Sequence, residues 1–454
     1  MQQHNCNVVI IGAGIAGIAV AYFLKEFSPE TSVILLDSAE PMALTSAQSG
    51  ENYRNWWPHP VMTAFTDRSI DLMEGIAQQS GHTIGMSRRG YVLSTRRDDT
   101  DDLLNELHYG YSKLADNTIR FHDKPGSSTY RPPEKPDWQL APSGVDVISD
   151  QTLIQNTFPS YSQDIKTLVH IRRAGAIDAH ALGTFMLSQF KAQGGLHLNI
   201  DVSAVTIADG FQIQDSNTGL SVVAAQLVNA AGPFINEIAK MLGTLLPVTH
   251  TLQQKIAFDD KASAIPRDMP FSIDLDEQVI DWTEEEIELL SESPDHAWLT
   301  DEMPGAIHCR PEGGDNGSWL KLGWAFNNTA SEPAREPLLM DSFPEIVLRG
   351  AARLNPSLKH YYGKLPRSLH HYGGYYTLTD ENWPLIGPMQ TEGAFVVGAL
   401  SGFGTMAACA AGELCARQVL ESDLPDYSSA LSLQRYTDQA LIGEIAALSQ
   451  RGIL

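Results

Sequence analysis

Gly12, Gly14 and Gly17, spaced Gly-x-Gly-x-x-Gly, and the carboxylate of Asp37 about 20 residues further on are residue types that can do chemistry together. The first glycine permits a tight turn, and the second lets the backbone approach a pyrophosphate at a helix N-terminus. The third lets that helix lie close on its strand. A carboxylate at the end of the following strand accepts hydrogen bonds from both ribose hydroxyls. In this order the residues imply a dinucleotide site, with Gly12, Gly14, Ile15, Ala16 and Gly17 at the phosphates and Asp37 and Ser38 at a ribose. A glycine triplet alone is a weak signal. Its weight here comes from the elements around it.

Val8-Val9-Ile10-Ile11 is an apolar strand feeding the glycines, residues 15–27 read as a helix, and Val33-Ile34-Leu35-Leu36 is a second strand closing on Asp37. Further along, Met62, Phe65, Leu72 and Ile76 place a helix over 62–80. Prolines 125, 132, 133, 136 and 142 imply an extended surface loop over 123–143, an inert connection or a lid. A helix is expected near 179–194 and strands at 197–207 and 220–228. The small-residue run Val228 to Ala231 and Gly232 then suggests close backbone approach to a ligand. Residues 268–309 hold thirteen acids and no Lys or Arg, which reads as a solvated acidic insert or a partner contact. Within it Thr283 and Glu286 have the spacing of a capping box. The chain closes with a strand at 394–397, a turn at 398–404, a small-residue helix to about 421 and a polar terminal helix.

At 454 residues two domains are expected. The 31 basic residues against 55 acidic ones, net charge −24, disfavour nucleic acid or an anionic membrane as partner. Cys6, Cys309, Cys409 and Cys415 lack paired or metal-type spacing, so neither structural zinc nor a disulfide framework is expected. The first strand starts by residue 8 and no apolar run approaches the roughly 20 residues of a membrane span, which points to a cytoplasmic protein.

Four pieces in order carry a resemblance across most of the chain: the N-terminal unit, Ala174 to Leu182, Val228 to Gly232, and Tyr375-Tyr376-Thr377-Leu378-Thr379-Asp380-Glu381-Asn382-Trp383-Pro384-Leu385-Ile386-Gly387-Pro388 followed by Ser401-Gly402-Phe403-Gly404. Together these resemble the D-amino-acid oxidase and sarcosine oxidase superfamily of flavoproteins. The resemblance implies an α/β fold: a Rossmann-like FAD-binding domain of the glutathione-reductase type, interleaved with a mixed-sheet substrate domain. The FAD domain is expected from 1–85, 145–245 and 365–430, the substrate domain from 86–144 and 246–364, and a C-terminal helix from 431–454. Adenosine would meet Asp37 and the backbone near Val202. The flavin ring would meet Ser46, Ser49 and Gly50 on one side and Gly402, Gly404, Thr405 and Met406 on the other, with Ala231 and Gly232 nearby.

Ser318-Trp319-Leu320-Lys321-Leu322-Gly323 is similar to the monomeric sarcosine oxidase segment whose lysine promotes reaction of reduced flavin with oxygen, so Lys321 is the expected catalytic residue. The family's flavin-attaching cysteine aligns near Gly374, implying non-covalent FAD. Its carboxylate-pairing lysine aligns with Met406, which leaves Arg54 and Arg310 as candidate clamps for an acid, or as structural ion pairs. Arg310-Pro311-Glu312 resembles a turn of the superfamily's dehydrogenases. Trp56, Trp57, Tyr375 and Tyr376 could hold an amine by cation–π contact, or serve as core. His59, His308, His370 and His371 could orient it, and none is assigned as catalyst. The implied reaction is oxidation next to nitrogen in a secondary or N-methyl amine or an amino acid, with oxygen or another acceptor reoxidising the flavin. Oxidation of a 2-hydroxy acid, or a role as flavin-binding subunit of a larger complex, are the alternatives; among partners a homo-oligomer is left open.

Overall fold

In the computed structural model, which describes residues 3–115, 118–124, 129–133, 138–215, 218–314 and 316–448, alternate residues of the first strand serve two different cores. Val8 and Ile10 point to one face of strand Gln3–Ile11 and Val9 and Ile11 to the other, and all four are buried. Such burial on both faces is the property of an interior strand of a parallel sheet. The strand pairs in parallel with Val33–Asp37 on one side and Ser221–Asn229 on the other, Ile11 standing opposite both Leu36 and Asn229. Leu196–Asn199 extends the sheet past the former, and the hairpin Val202–Ala208 with Gly210–Asp215 extends it past the latter. Ser221–Asn229 is long enough for its second half to take a further parallel partner, Ala394–Gly398, which carries Leu385–Pro388. Helices Ile15–Phe27, Pro60–Gln79, Ala179–Ala192 and Gly404–Val419 cover the Val8/Ile10 face. Ile235–Met241 packs on the opposite one.

The second sheet has nine strands in the order His370–Leu378, Thr249–Asp259, Trp319–Trp324, Ile307–Glu312, Phe271–Asp274, Tyr91–Thr95, Thr167–Ile171, Val145–Ile148 and Ile119–His122. It is mixed, with parallel pairing only where Phe271–Asp274 meets Tyr91–Thr95 and Ile119–His122 meets Val145–Ile148. Ile256, Phe258, Leu320, Leu322, Ile307 and Cys309 point to one face and pack beneath the amphipathic helix Phe343–Leu354. The intervening residues Lys255, Ala257, Lys321, His308 and Arg310 therefore point to the opposite face, because side chains alternate along a strand. A mostly hydrophobic sheet thus presents a charged surface toward the first domain.

Three segments differ from the sequence expectation. Strands Val145–Ile148, Thr167–Ile171 and His370–Leu378 pair into the second sheet, not the first, because their partners are Tyr91–Thr95 and Thr249–Asp259. Residues 268–309 are not a solvated insert throughout: Phe271–Asp274 is an internal strand, and Asp274 is fully buried with both oxygens held by Arg96 Nη1 at 2.8–2.9 Å. The expected helix Glu284–Ser291 is present with its Thr283/Glu286 capping box, and Arg349 ties Glu286 to the helix beneath. Beyond residue 431 the regular helix is confined to Gln439–Ala446, preceded by a 3₁₀ turn at Leu433–Thr437. Within the proline-rich stretch, 125–128 and 134–137 lie outside the described residues; Tyr130 is packed against His122, Phe158 and His170.

Candidate active site

The glycine motif folds as its spacing implies. Gly12 has φ +111°, and the turn at Ala230 and Ala231 presses so close that a β-carbon on Gly12 would reach the Ala231 Cα at 3.0 Å. The small residues of the 228–232 run thus serve a backbone-to-backbone contact with the motif itself. A β-carbon on Gly17 would overlap the Gly12 carbonyl. Asp37 accepts from the Ala13 N–H at 2.6 Å and the Ala39 N–H at 2.9 Å, which orients its carboxylate at the strand end. Helix Ile15–Phe27 starts at Gly14, which has no side chain to cap it, and carries no acid in its first turn, so apart from the Ile15 N–H its positive end is open to an anion. Ser46 Oγ accepts from Ile15 N–H at 3.0 Å, so Ser46 stands at the phosphate end, not beside the expected ring position. Ser38 is held by Arg335, which also reaches Asp201 beside Val202.

Facing this groove from the second sheet is a lock of four charges. Lys321 Nζ lies 2.8 Å from Glu51 Oε2 and 3.0 Å from Glu312 Oε2, and Arg310 Nη2 lies 2.6 Å from Glu312 and 3.4 Å from Glu51. Arg310 and Lys321 are direct cross-strand neighbours. Arg310 also donates to the Gly50 carbonyl at 3.1 Å, tying the sheet to the loop on which Ser49, Gly50 and Glu51 stand. Burial, reinforced by Arg310, pushes the Lys321 ammonium below its ordinary pKa. Burial alone would raise the Glu312 carboxyl, but Arg310 and Lys321 together hold it below the usual range. Glu51 has φ +59°, a conformation that costs a non-glycine residue energy and places its carboxylate between the two cations. Glu51, Arg310 and Glu312 line a cleft of about 840 Å³ whose other walls include Met86, Trp138, Met269 and Phe271. Trp138 brings the described part of the proline-rich stretch to this cleft.

The other expected residues divide between site and core. Tyr376 lies against Gly402, where an added β-carbon would overlap its ring, while Tyr375 points to the other face. That parity follows from register: Tyr376 stands opposite Thr251, and His371, an even number of residues from Tyr375, stacks on Phe343 in the lower core. Arg54 is fully buried, its Nε donating to the Trp56 carbonyl and its guanidinium lying over Trp57 and Tyr91, and burial lowers its pKa. Trp56 packs with Leu103, Leu107 and Tyr111, and Met406 packs in the helical core. Neither Arg54, Trp56 nor Met406 reaches the cleft. His59 meets Glu444 near the C-terminus. His308 shares the charged face, where burial and Lys255 hold its ring down to about 3. Glu51, Glu312 as a lock member and Lys255 were not singled out from sequence; the nearest signals were the unusual run Ser49 to Pro58 and the Arg-Pro-Glu turn.

The residues suit a flavin adenine dinucleotide. The open helix end and Asp37 fit its pyrophosphate and ribose. Toward the ring end, Asn52 Oδ1 and Ser401 Oγ are buried and meet no hydrogen-bond partner among the described residues, which makes them acceptor and donor positions for a polar heterocycle to complete. Ser401 has φ +43°, and Thr405 Oγ1 lies 2.7 Å from Ser49 Oγ, so the two expected sides of the ring site meet. Among the described residues no group of His, Cys, Asp and Glu is arranged to hold a metal ion, and no helix is long and apolar enough to cross a membrane.

Comparisons with known proteins agree with this geometry. The family model described as DAO, FAD dependent oxidoreductase, matches residues 7–418. No individual curated protein matches in sequence. Among solved structures, L-proline dehydrogenase from P. horikoshii superposes with TM-score 0.71 at 16% identity, covering 96% of this chain and 99% of that one. Glycine oxidase from Geobacillus kaustophilus does so with TM-score 0.70 at 14% identity, covering 95% and 99%. Iminodiacetate oxidase from Chelativorans sp. BNC1 gives TM-score 0.66 at 17% identity, covering 94% and 98%. At such identities the likeness is one of fold. The family match over nearly the whole chain carries more: this protein belongs to the DAO family of FAD-dependent oxidoreductases.

Proposed function

We propose that the protein oxidises the bond between carbon and nitrogen in an amino acid or a secondary amine, N-methyl amines included, with electrons leaving through FAD to oxygen or another acceptor. The observation that carries this reading is the charged sheet face, where Arg310, Glu51 and Glu312 line one cleft and Lys321 pairs with both glutamates. The structural neighbours named for proline, glycine and iminodiacetate share a nitrogen one carbon from a carboxylate, which supports the class. FAD, when bound, would supply a two-electron acceptor for the hydride of the carbon next to nitrogen; with loss of the nitrogen's proton the amine becomes an imine that water hydrolyses. The chain's part is to hold the substrate's reacting carbon against the cofactor in a site shielded from water.

Within this reading Lys321 promotes reoxidation through its buried positive charge. FAD is held non-covalently in this reading: Gly374, where the family's flavin-attaching cysteine aligns, offers no thiol. Anaerobic titration of the holoprotein with a panel of amino acids, N-methyl amines and 2-hydroxy acids tests the proposal. Bleaching of the flavin by a nitrogen compound is the expected result, and bleaching by 2-hydroxy acids alone would overturn it.

A further inference from the structure

The C-terminal helix Gln439–Ala446 roofs a cavity that the proposed oxidation does not use. Ile442, Ile445 and Ala446, at helical positions i, i+3 and i+4, share one face, and that face bounds about 400 Å³ of space together with Trp57, Asn382 and Trp383. Glu444 fastens the helix there, its carboxylate meeting His59 Nε2 at 3.2 Å and accepting from the Tyr109 hydroxyl. The cavity has no lining residue in common with the cleft at Arg310. Its size lies within the range of about 300–1,000 Å³ that small-molecule sites occupy.

The lining determines what the space can take. Asn382 is 8% exposed, its N–H donates to the Thr379 carbonyl at 3.0 Å, and its side-chain oxygen is buried and meets no hydrogen-bond partner among the described residues. A buried amide oxygen in that condition calls for a donor that arrives with a ligand. Two carboxylates line the cavity and no Lys, Arg or His does. Glu381 is taken by Arg435 and by the Tyr436 hydroxyl, whereas Asp380, which is exposed, pairs with no described residue. The uncompensated charge is therefore negative, which favours a cation and disfavours an acid. Trp57, Trp383 and Tyr436 supply aromatic surface suited to a flat apolar body and to an ammonium group. We propose that this cavity is a second ligand site, for a small organic amine carrying an apolar ring, with its N–H on Asn382 and its charge toward Asp380. The site goes beyond the proposed oxidation and does not depend on it. Its occupant bears on the ring end of the cofactor groove, because Trp57 packs edge-on against Phe403, ring centroids 4.7 Å apart, and Phe403 starts the helix Gly404–Val419 whose Thr405 reaches Ser49.

The test titrates the full-length FAD-loaded protein, without oxygen, with 2-phenylethylamine, 2-phenylethanol and phenylacetate, which share one body and differ in head group. Calorimetry reads binding, and the flavin absorption spectrum reads both perturbation and bleaching. The expected result is saturable binding of the amine with a shifted flavin spectrum, weaker binding of the alcohol and the weakest of the acid. Ile445→Trp, which fills the cavity, should abolish amine binding. Asn382→Gly, which keeps the φ of +57° while removing the amide, should weaken the amine and the alcohol by about tenfold, and Asp380→Asn should weaken the amine alone by about threefold. Should Ile445→Trp fail to fold, the other two variants carry the test. No binding to wild type, phenylacetate binding as tightly as the amine, or amine affinity unchanged in Asn382→Gly and Asp380→Asn overturns the inference. So does an amine that bleaches the flavin and binds Ile445→Trp as it binds wild type, since it then occupies the site of oxidation alone.

Discussion

Lys321→Met removes one cation from a lock of four charges, and its cost can be worked from distances. Lys321 Nζ is 2.8 Å from Glu51 and 3.0 Å from Glu312. At an effective dielectric of about 20, unit charges roughly 3 Å apart attract by about 5–6 kcal/mol before desolvation is subtracted. Deleting one partner of a buried pair costs about 3–5 kcal/mol. The Glu51 and Glu312 side chains are 24% and 27% exposed, so water screens part of that, and roughly 2–3 kcal/mol of lost stability is expected near neutral pH.

The loss also carries a pH signature. In wild type Glu312 titrates below the ordinary carboxylate value; its contribution is present above the unfolded pKa of about 4.3 and is lost as pH falls through the folded one. In the variant, Arg310 alone faces two carboxylates, and one of them is pushed above the unfolded value. A raised carboxyl contributes stability below the unfolded pKa and loses it as pH rises through the folded pKa. The deficit of Lys321→Met should therefore be largest near pH 7.5 and shrink toward pH 5. Urea denaturation of both proteins at these two values measures it. A deficit below about 0.5 kcal/mol, or one equal at both pH values, would refute the charge-lock reasoning.

Gly17→Val should abolish FAD retention, because a β-carbon there overlaps the Gly12 carbonyl, whereas Gly75→Ala on helix Pro60–Gln79, where a β-carbon meets nothing within 4 Å, should keep FAD and gain about 0.5–1 kcal/mol; flavin-to-protein absorbance ratios and urea melts distinguish them. Asp37→Ala should weaken FAD binding about 10–100-fold in a fluorescence titration of the apoprotein, and an unchanged Kd would remove Asp37 from the ribose site. The His308 ring, held down to about 3, stays neutral while its unfolded counterpart protonates near 6.5; its contribution is present above about pH 6.5 and fades as pH falls toward 3. His308→Gln should accordingly flatten the acid limb of the stability curve between those values, and an unchanged limb would contradict a neutral ring at this position.

What was legible in the sequence was what is local. The glycine motif, its helix and Asp37 lie within 30 residues of one another, and Gly12, Gly17 and Asp37 make the contacts that their spacing implies. The capping box at Thr283 is likewise a four-residue pattern. Glu51 was not legible, because its significance arises from Lys321, 270 residues away. The choice between Tyr375 and Tyr376 depended on register. Consecutive strand residues face opposite ways, and the pairing of Tyr376 with Thr251 decides which one meets the groove. Acid density over 268–309 suggested solvent, but Phe271-Ser272-Ile273 is a strand sequence, and the acid that closes it, Asp274, is paired with Arg96, which follows strand Tyr91–Thr95 and lies 178 residues earlier.

The same distance explains how an acidic chain builds a cationic site. With a net charge of −24 the surface repels anions, but at physiological salt that repulsion fades within about 8 Å. Capture of an anion then depends on charges held where water does not screen them. Lys255, Lys321 and Arg310 occupy three adjacent strands, each on the same face, each less than 10% exposed. Three cations so close would repel one another, and the pair of glutamates is what makes their proximity tolerable. Glu51 comes from the loop of the cofactor domain and Glu312 from the sheet, so the neutralising charges also join the two halves across the cleft. The consequence is that Lys321 serves twice in the proposed reaction: its pairs with Glu51 and Glu312 hold the halves in register, and its charge stays on the sheet face where reoxidation is proposed.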